Sequence, residues 1–221
     1  MAELRTEEEQ VQAIKDWWKK NGSSLLIGIG AALAIVFGWQ AWQNHQEQQR
    51  AEAANQFATL LNAFGNQADE TASETVAFVA NTLREDHAGS AYAVYGNLIL
   101  ARQQLVEDQD AEAAVASLEW ALEKAGDHKA LALVVRNRLA RAQFSAERYD
   151  DALATIDGAG NAESADAFAA IFSELRGDIL LAKGDKKGAL DAYLAAREQS
   201  QQGRSGILEL KLSDLGVGEE A

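Results

Sequence analysis

Two kinds of apolar pattern divide the chain. An apolar run extends from Leu25 to Trp42, and no charged side chain occurs from Asn21 to Asn44. From Ala51 onward apolar residues instead recur at helical spacing, as in Ala54, Phe57, Leu60, Leu61 and Phe64. The first pattern suits lipid and the second a succession of amphipathic helices packed on one another. Eighteen residues at the helical rise give roughly 27 Å, close to the hydrocarbon thickness of a bilayer. Trp17 and Trp18 precede the run while Trp39 and Trp42 close it, and Trp18 to Trp39 spans about 31 Å, the separation of aromatic belts at two interfaces. The pattern predicts a spanning helix rather than the core helix of a soluble protein.

A cleaved signal peptide would also pair Lys15, Lys19 and Lys20 with a following apolar run. The stretch after Phe37 reads Gly-Trp-Gln-Ala-Trp-Gln-Asn, without the small-x-small pair a signal peptidase accepts, which favours an uncleaved anchor. Those lysines lie within about ten residues before the run, whereas Arg50 and then Arg84 are the first basic residues after it. Positive residues stay on the cytoplasmic side, so the amino end is expected in the cytoplasm and the carboxyl portion across the membrane, periplasmic in a bacterium. Thr6 and Glu9 form a Thr-x-x-Glu capping pattern, and Val11, Ile14, Trp17 and Trp18 share a face, which predicts a short amphipathic helix in the leader. Within the run, Gly28, Gly30, Ala32, Ala34 and Gly38 supply small-x-x-x-small pairs at which another membrane helix could pack closely. The chain has no proline, and no glycine between Trp39 and Gly65, so one rod can continue to Phe64 unless the polar stretch Gln43 to Arg50 frays as a linker.

The later helices repeat. Ala101 with Ala114, Leu118 and Ala121, Ala140 with Ala152, Ile156 and Ala159, and Gly177 with Ala189, Tyr193 and Ala196 superimpose at steps of 37 to 39 residues. Each unit reads helix, polar turn, helix, with turns at Asp108-Gln-Asp, Glu147-Arg-Tyr-Asp-Asp and Lys183-Gly-Asp-Lys-Lys. Small residues let paired helices approach while larger apolar groups fill the flanks. The pattern resembles the tetratricopeptide repeat, most fully from Gly177 to Ala196. It departs in having Ala for the first Gly of the other copies, Glu147 where a turn Gly usually sits, and no closing proline. A more divergent pair is expected over residues 50–86, with Phe57, Leu60, Leu61 and Phe64 facing Val76, Phe78, Val79 and Leu83 across a break at Gly65 to Glu70. Beyond Gly203 to Gly206, the residues Ile207, Leu208, Leu210, Leu212 and Leu215 fit a capping helix better than a strand-like tail, because an open repeat end would expose apolar surface. The expected fold is all-α: a single N-terminal transmembrane helix followed by a tetratricopeptide-repeat-like α-solenoid of helix pairs. Its divisions are a cytoplasmic leader over residues 1–22, the transmembrane helix over 23–43 and a periplasmic domain over 44–221.

Charge and composition narrow the chemistry. The chain holds 34 acidic and 20 basic residues; the first 44 positions hold 5 and 4, leaving 29 and 16, a net charge of −13 beyond the span. That balance disfavours nucleic acid and anionic lipid as partners of the domain. With no Cys, disulfides, thiol chemistry and Cys-ligated zinc are excluded. His45, His87 and His128 are isolated, no His-x-x-x-His pair occurs, and no cofactor is implied. Asp150 and Asp151 sit at an expected helix start, where capping explains them. Catalysis therefore has little support. A solenoid of helix pairs instead offers a concave face from its first helices, which by repeat position carries Leu98, Arg102, Asn137, Arg141, Glu174 and Asp178. The face mixes charges, and Glu174 and Asp178 stand where a clamp for an acidic carboxyl terminus would need donors.

The leader Glu-Glu-Gln-Val-Gln-Ala-Ile-Lys-Asp-Trp-Trp-Lys-Lys-Asn-Gly, the span ending Gly-Trp-Gln-Ala-Trp-Gln-Asn-His-Gln and the repeats together resemble the YfgM family of inner-membrane proteins over nearly the whole chain. The most specific parts are Val11 to Gly22 and Gly38 to Gln46. The resemblance implies an ancillary subunit of the SecYEG translocon, membrane-anchored, working beside the chaperone PpiD and passing emerging secretory polypeptides to periplasmic chaperones. Two other roles fit the architecture: a membrane-bound regulator restraining a stress-response protein through the leader, and an assembly factor for envelope complexes.

Overall fold

The computed structural model describes residues 7–66, 71–126, 128–160, 166–200 and 206–216, and every regular element among them is an α-helix. The helices are α1 (Glu7–Gly65), α2 (Ala72–Asp86), α3 (Ala91–Val106), α4 (Ala111–Ala125), α5 (Lys129–Ser145), α6 (Tyr149–Asp157), α7 (Asp166–Ala182), α8 (Lys186–Gln199) and α9 (Gly206–Asp214). The chain divides into two compact units, Met1–Ala51 and Glu52–Ala221.

In the first unit nothing breaks the backbone hydrogen bonding of α1. The leader from Glu7 is its first turns rather than a separate helix, and Gln43 to Arg50 is helical rather than a frayed linker. Thr6, the expected cap, lies outside the described residues. The apolar window, of mean hydropathy 1.8, is exposed, with Ile27 and Ile35 each at 72%. A soluble core helix would bury such side chains, whereas a membrane would cover them with lipid. The indoles of Trp17 and Trp18 stand 6.5 Å apart and those of Trp39 and Trp42 5.1 Å apart, paired at either end of the run. A Cβ added at Gly28, Gly30 or Gly38 meets nothing within 4 Å, and Ala32 and Ala34 are exposed; Gly28 and Ala32 lie on one side of the helix and Gly30, Ala34 and Gly38 on the other, and neither set is covered among the described residues.

The second unit is built from shared cores. Ala53 and Leu60 of α1 pack with Val76, Val79, Ala80 and Leu83 of α2 and with Ala93 and Leu100 of α3. Leu61 and Phe78, expected in this core, are instead exposed at 45% and 71%. A second cluster joins α3, α4 and α5 through Ala101, Ala114, Leu118, Ala121, Val135 and Leu139. A third joins α5, α6 and α7 through Ala140, Ala152, Ile156, Phe172, Leu175 and Ile179. In the last, Leu208 and Leu212 of α9 close over Ala189, Tyr193 and Ala196 of α8, which makes α9 the expected cap; Gly203 and the two residues after it lie outside the described residues, as do residues 67–70. Each of the first three cores belongs to two neighbouring pairs, as stacking of repeats requires, and the fourth joins the last pair to the cap.

The repeat register holds at the backbone level. Gln109, Glu147 and Gly184 occupy the same place in the three turns, and all have positive φ, 54°, 59° and 87°. The two that are not glycine carry the strain of a left-handed L residue. Asp110 and Asp185 then cap α4 and α8, accepting from the amides of Ala113 and Gly188 at 2.9 Å. The middle copy departs from this scheme. Its N-cap is Arg148, with no side-chain cap hydrogen bond, so Asp150 and Asp151 are first-turn acids favoured by the helix dipole rather than caps. They pair with Lys183 and Arg148. Helix α6 also stops at Asp157, and Ala159, expected within it, follows the helix while still packing on the third core. Gly158 and Gly160, the latter at φ 61°, end the helix, and the Arg136 guanidinium donates to the Thr155 carbonyl at 3.4 Å. A partly buried polar link also recurs: Ser117 donates to Gln104 at 2.8 Å and Thr155 to Gln143 at 2.7 Å, whereas Leu180 and Ala192 replace it in the third copy.

Closest approach falls at Gly177, where an added Cβ would stand 2.3 Å from a ring carbon of the fully buried Tyr193. Gly177→Ala should therefore cost about 1–3 kcal/mol through overpacking. Glu147→Gly should stabilise by up to about 1 kcal/mol by relieving the left-handed turn. Thermal unfolding of the full chain in detergent micelles, followed by circular dichroism, should show the midpoint falling for the first variant and rising for the second.

Candidate partner-binding groove

Residues 98, 102, 105 and 106 fall on one side of α3 by helical spacing, and 138 and 141 on one side of α5. The two helices share a core, so their side chains converge over it. Leu98, Ala101, Leu105, Val106 and Leu118 form the apolar lining of an open groove of about 220 Å³, and every other lining residue is an arginine: Arg102, Arg138 and Arg141. Leu118, 2% exposed, and Ala101, 3% exposed, are its floor. Arg102 lies over the Phe64 ring at 5.0 Å, which holds the guanidinium by its face. Arg141 donates through Nε to Asn137 Oδ1 at 3.3 Å. None of the three pairs with a carboxylate among the described residues, in contrast to Arg148, which contacts Glu112, Glu119 and Asp151 at 3.3, 3.7 and 2.8 Å. A second cavity of about 440 Å³, lined by Phe64, Ser73, Val76, Gln103 and Glu107 among others, shares Arg102 and Val106 with the first.

Of the positions singled out by sequence, Leu98, Arg102 and Arg141 come together in this groove. Asn137 stands beside it, its Oδ1 occupied by Arg141 and its Nδ2 buried without a hydrogen-bond acceptor. Glu174 and Asp178 do not join them. The Lys211 ammonium of α9 donates to Glu174 Oε1 at 2.7 Å and to both Asp178 oxygens at 2.7 and 2.9 Å, while the Tyr193 hydroxyl donates to Asp178 Oδ1 at 2.8 Å. The two acids are thus committed to fastening the cap. Sequence reasoning missed Arg138, whose signal was its spacing of three from Arg141 with no acid four residues away on either side. Leu118, on the second helix α4, reaches the groove floor from beneath, which first-helix register alone does not show.

Burial opposes the charge on Lys211, but the hydrogen bonds and charges of Asp178 and Glu174 outweigh it and hold the ammonium above its ordinary range. Burial, reinforced by the hydrogen bond and charge of Asp178, likewise pushes the Tyr193 phenol up. Both shifts make the native state keep protons that the unfolded chain gives up first. Their stabilisation is therefore complete below the unfolded values of about 10 and is lost as pH rises through the native ones.

Among the described residues no group of three or more His, Cys, Asp or Glu could hold a metal ion. A family model described as a tetratricopeptide repeat-like domain matches residues 15–217, the apolar run included. The ancillary SecYEG translocon subunit of Haemophilus influenzae is 36% identical over 217 residues, covering 97% of this chain and 100% of that protein. The protein of the same description in Escherichia coli K12 is 29% identical, covering 96% and 97%, and that of Neisseria gonorrhoeae 28%, covering 97% and 100%. Fold and family match define a tetratricopeptide-like protein that carries, among the described residues, one N-terminal helix long and apolar enough to cross a membrane. Within that class, the chain belongs to the family of the ancillary SecYEG translocon subunits.

Lys211→Met should lower stability at neutral pH by about 1–3 kcal/mol, because two partly buried carboxylates lose their counter-charge and Glu174 Oε1 loses its donor. Between pH 9 and 11.5, thermal midpoints of the parent chain should decline, and those of Lys211→Met should decline less steeply. Parallel curves for the two proteins would show that the cap does not depend on this contact.

Proposed function

We propose that the chain is a scaffold of the SecYEG translocon, a single-pass inner-membrane protein that binds the chaperone PpiD and helps pass emerging secretory polypeptides to periplasmic chaperones. The observation that carries this reading is relatedness over the full length, apolar helix and repeats together, to proteins named ancillary SecYEG translocon subunits. The geometry supports it: a stack of helix pairs with an open groove suits the holding of a partner segment. The leader is cytoplasmic and the repeats periplasmic, by the placement of Lys15, Lys19 and Lys20 before the run. The small-residue pairs at Gly28 and Ala32 on one side of the helix, and at Gly30, Ala34 and Gly38 on the other, are where membrane partner helices pack, and the groove at Leu98, Arg102, Asn137 and Arg141 is where a soluble segment is held. Confinement to one membrane raises effective concentration, so individually weak contacts suffice.

Protease added to spheroplasts should digest the repeats and spare only a fragment containing the amino end and the span; an untouched chain beside digested periplasmic controls would invert the topology. PpiD and SecY should copurify with the full chain in mild detergent. Retention of PpiD after deletion of residues 52–221 would move its contact to α1, and absence of SecY from the purified material would remove the translocon role.

A further inference from the structure

The arginines of the groove stand out against the domain that carries them. In a segment of net charge −13, Arg102, Arg138 and Arg141 gather around an apolar floor, and none of them forms an ion pair with a carboxylate among the described residues, although Glu107 lines the adjoining cavity with Arg102. Each keeps donors to spare. Arg102 is held over Phe64 by its ring-facing surface, which leaves its N–H edge open; Arg141 uses only Nε toward Asn137; and Arg138 donates to nothing among the described residues. Guanidinium edges match carboxylates two bonds at a time, and their positions on two different helices suit more than one carboxylate.

We propose that the groove between α3 and α5 binds an internal stretch of polypeptide in which acidic side chains flank one apolar side chain. The apolar side chain enters against Leu98, Leu105 and Leu118, and the acids meet the arginines on its rim. Volume favours a passing chain over a free small molecule, because about 220 Å³ is below the roughly 300–1,000 Å³ usual for small-molecule pockets. An internal stretch with several acids fits better than a carboxyl terminus, because three arginines on two helices offer more paired donors than one carboxylate can accept. Surplus acid elsewhere on the domain repels such a segment at long range, but at physiological salt that field decays within about 8 Å, so the local arginines decide. The inference rests on the scaffold reading only for where the segment comes from.

The test is isothermal titration of the full chain in nanodiscs with a synthetic peptide, Gly-Ser-Glu-Glu-Leu-Glu-Ser-Gly, acetylated and amidated so that it has no terminal charge. Binding should weaken at least tenfold when the three Glu are replaced by Gln, and again when Leu is replaced by Ala. It should weaken at least tenfold for the chain carrying Arg138→Gln and Arg141→Gln, both exposed positions, and stay unchanged for Lys187→Gln on α8. No measurable binding to the parent chain at millimolar peptide, equal binding of the all-Gln peptide, or binding indifferent to the arginine replacements would each overturn the proposal. Because no translocon component is present, failure here leaves PpiD and SecY copurification as a separate result.

Discussion

Close approach of helices at small side chains is the constraint on which the rest of the second unit depends. Ala114, Ala152 and Ala189 are fully buried at matching places in the second helices, and Gly177 allows the Tyr193 ring to lie directly on α7. Each such contact brings two backbones near enough for Leu118, Ile156 or Tyr193 to fill the flanking space, and burying a side chain of that size contributes about 1.5–3 kcal/mol. The same approach sets the spacing of α3 and α5, and so the width of the groove between them. The arginines on its rim are therefore positioned by alanines beneath it that touch no partner.

Periodicity made most of the architecture legible. The apolar run, the three repeat copies, the divergent pair ahead of them and the capping helix all follow from spacing, because each helix must turn one face to its neighbours. The alanine and glycine register was readable for the same reason, since size at a contact is a property of the residue itself. What spacing could not show was where a pattern stops short. Helix α6 ends at Asp157 although Ala159 continues the register, because the flanking glycines and the Arg136 contact act locally and outweigh it. Leu61 and Phe78 satisfy an amphipathic pattern yet face outward, since only one stripe of each helix meets a neighbour.

The candidate site was partly legible. First-helix register led to Leu98, Arg102 and Arg141, but it also gathered Glu174 and Asp178, which the fold assigns to Lys211. That reassignment depends on a contact 33 to 37 residues away in sequence, beyond the reach of any local pattern. Charge is thus used in two opposite ways. Near the carboxyl end an acid pair is satisfied internally and locks the terminal helix down, whereas between α3 and α5 the positive groups are left without internal counterions among the described residues.

The brevity of α6 also has a dynamic meaning. A nine-residue helix shelters fewer amides than its neighbours of 14 to 17, and its end is held by two glycines rather than by further turns. In a stack whose members are held only by those adjacent, the thinnest interior layer, α9 being as short but terminal, is where cooperative opening between layers starts. Among the interior helical layers hydrogen exchange would then run fastest around Gly158 to Gly160, and transient separation at that seam would loosen α7 to α9 while α2 to α5 stayed closed. The solenoid is in this sense jointed, with a place to yield under the pull of a bound chain that lies apart from the groove doing the holding.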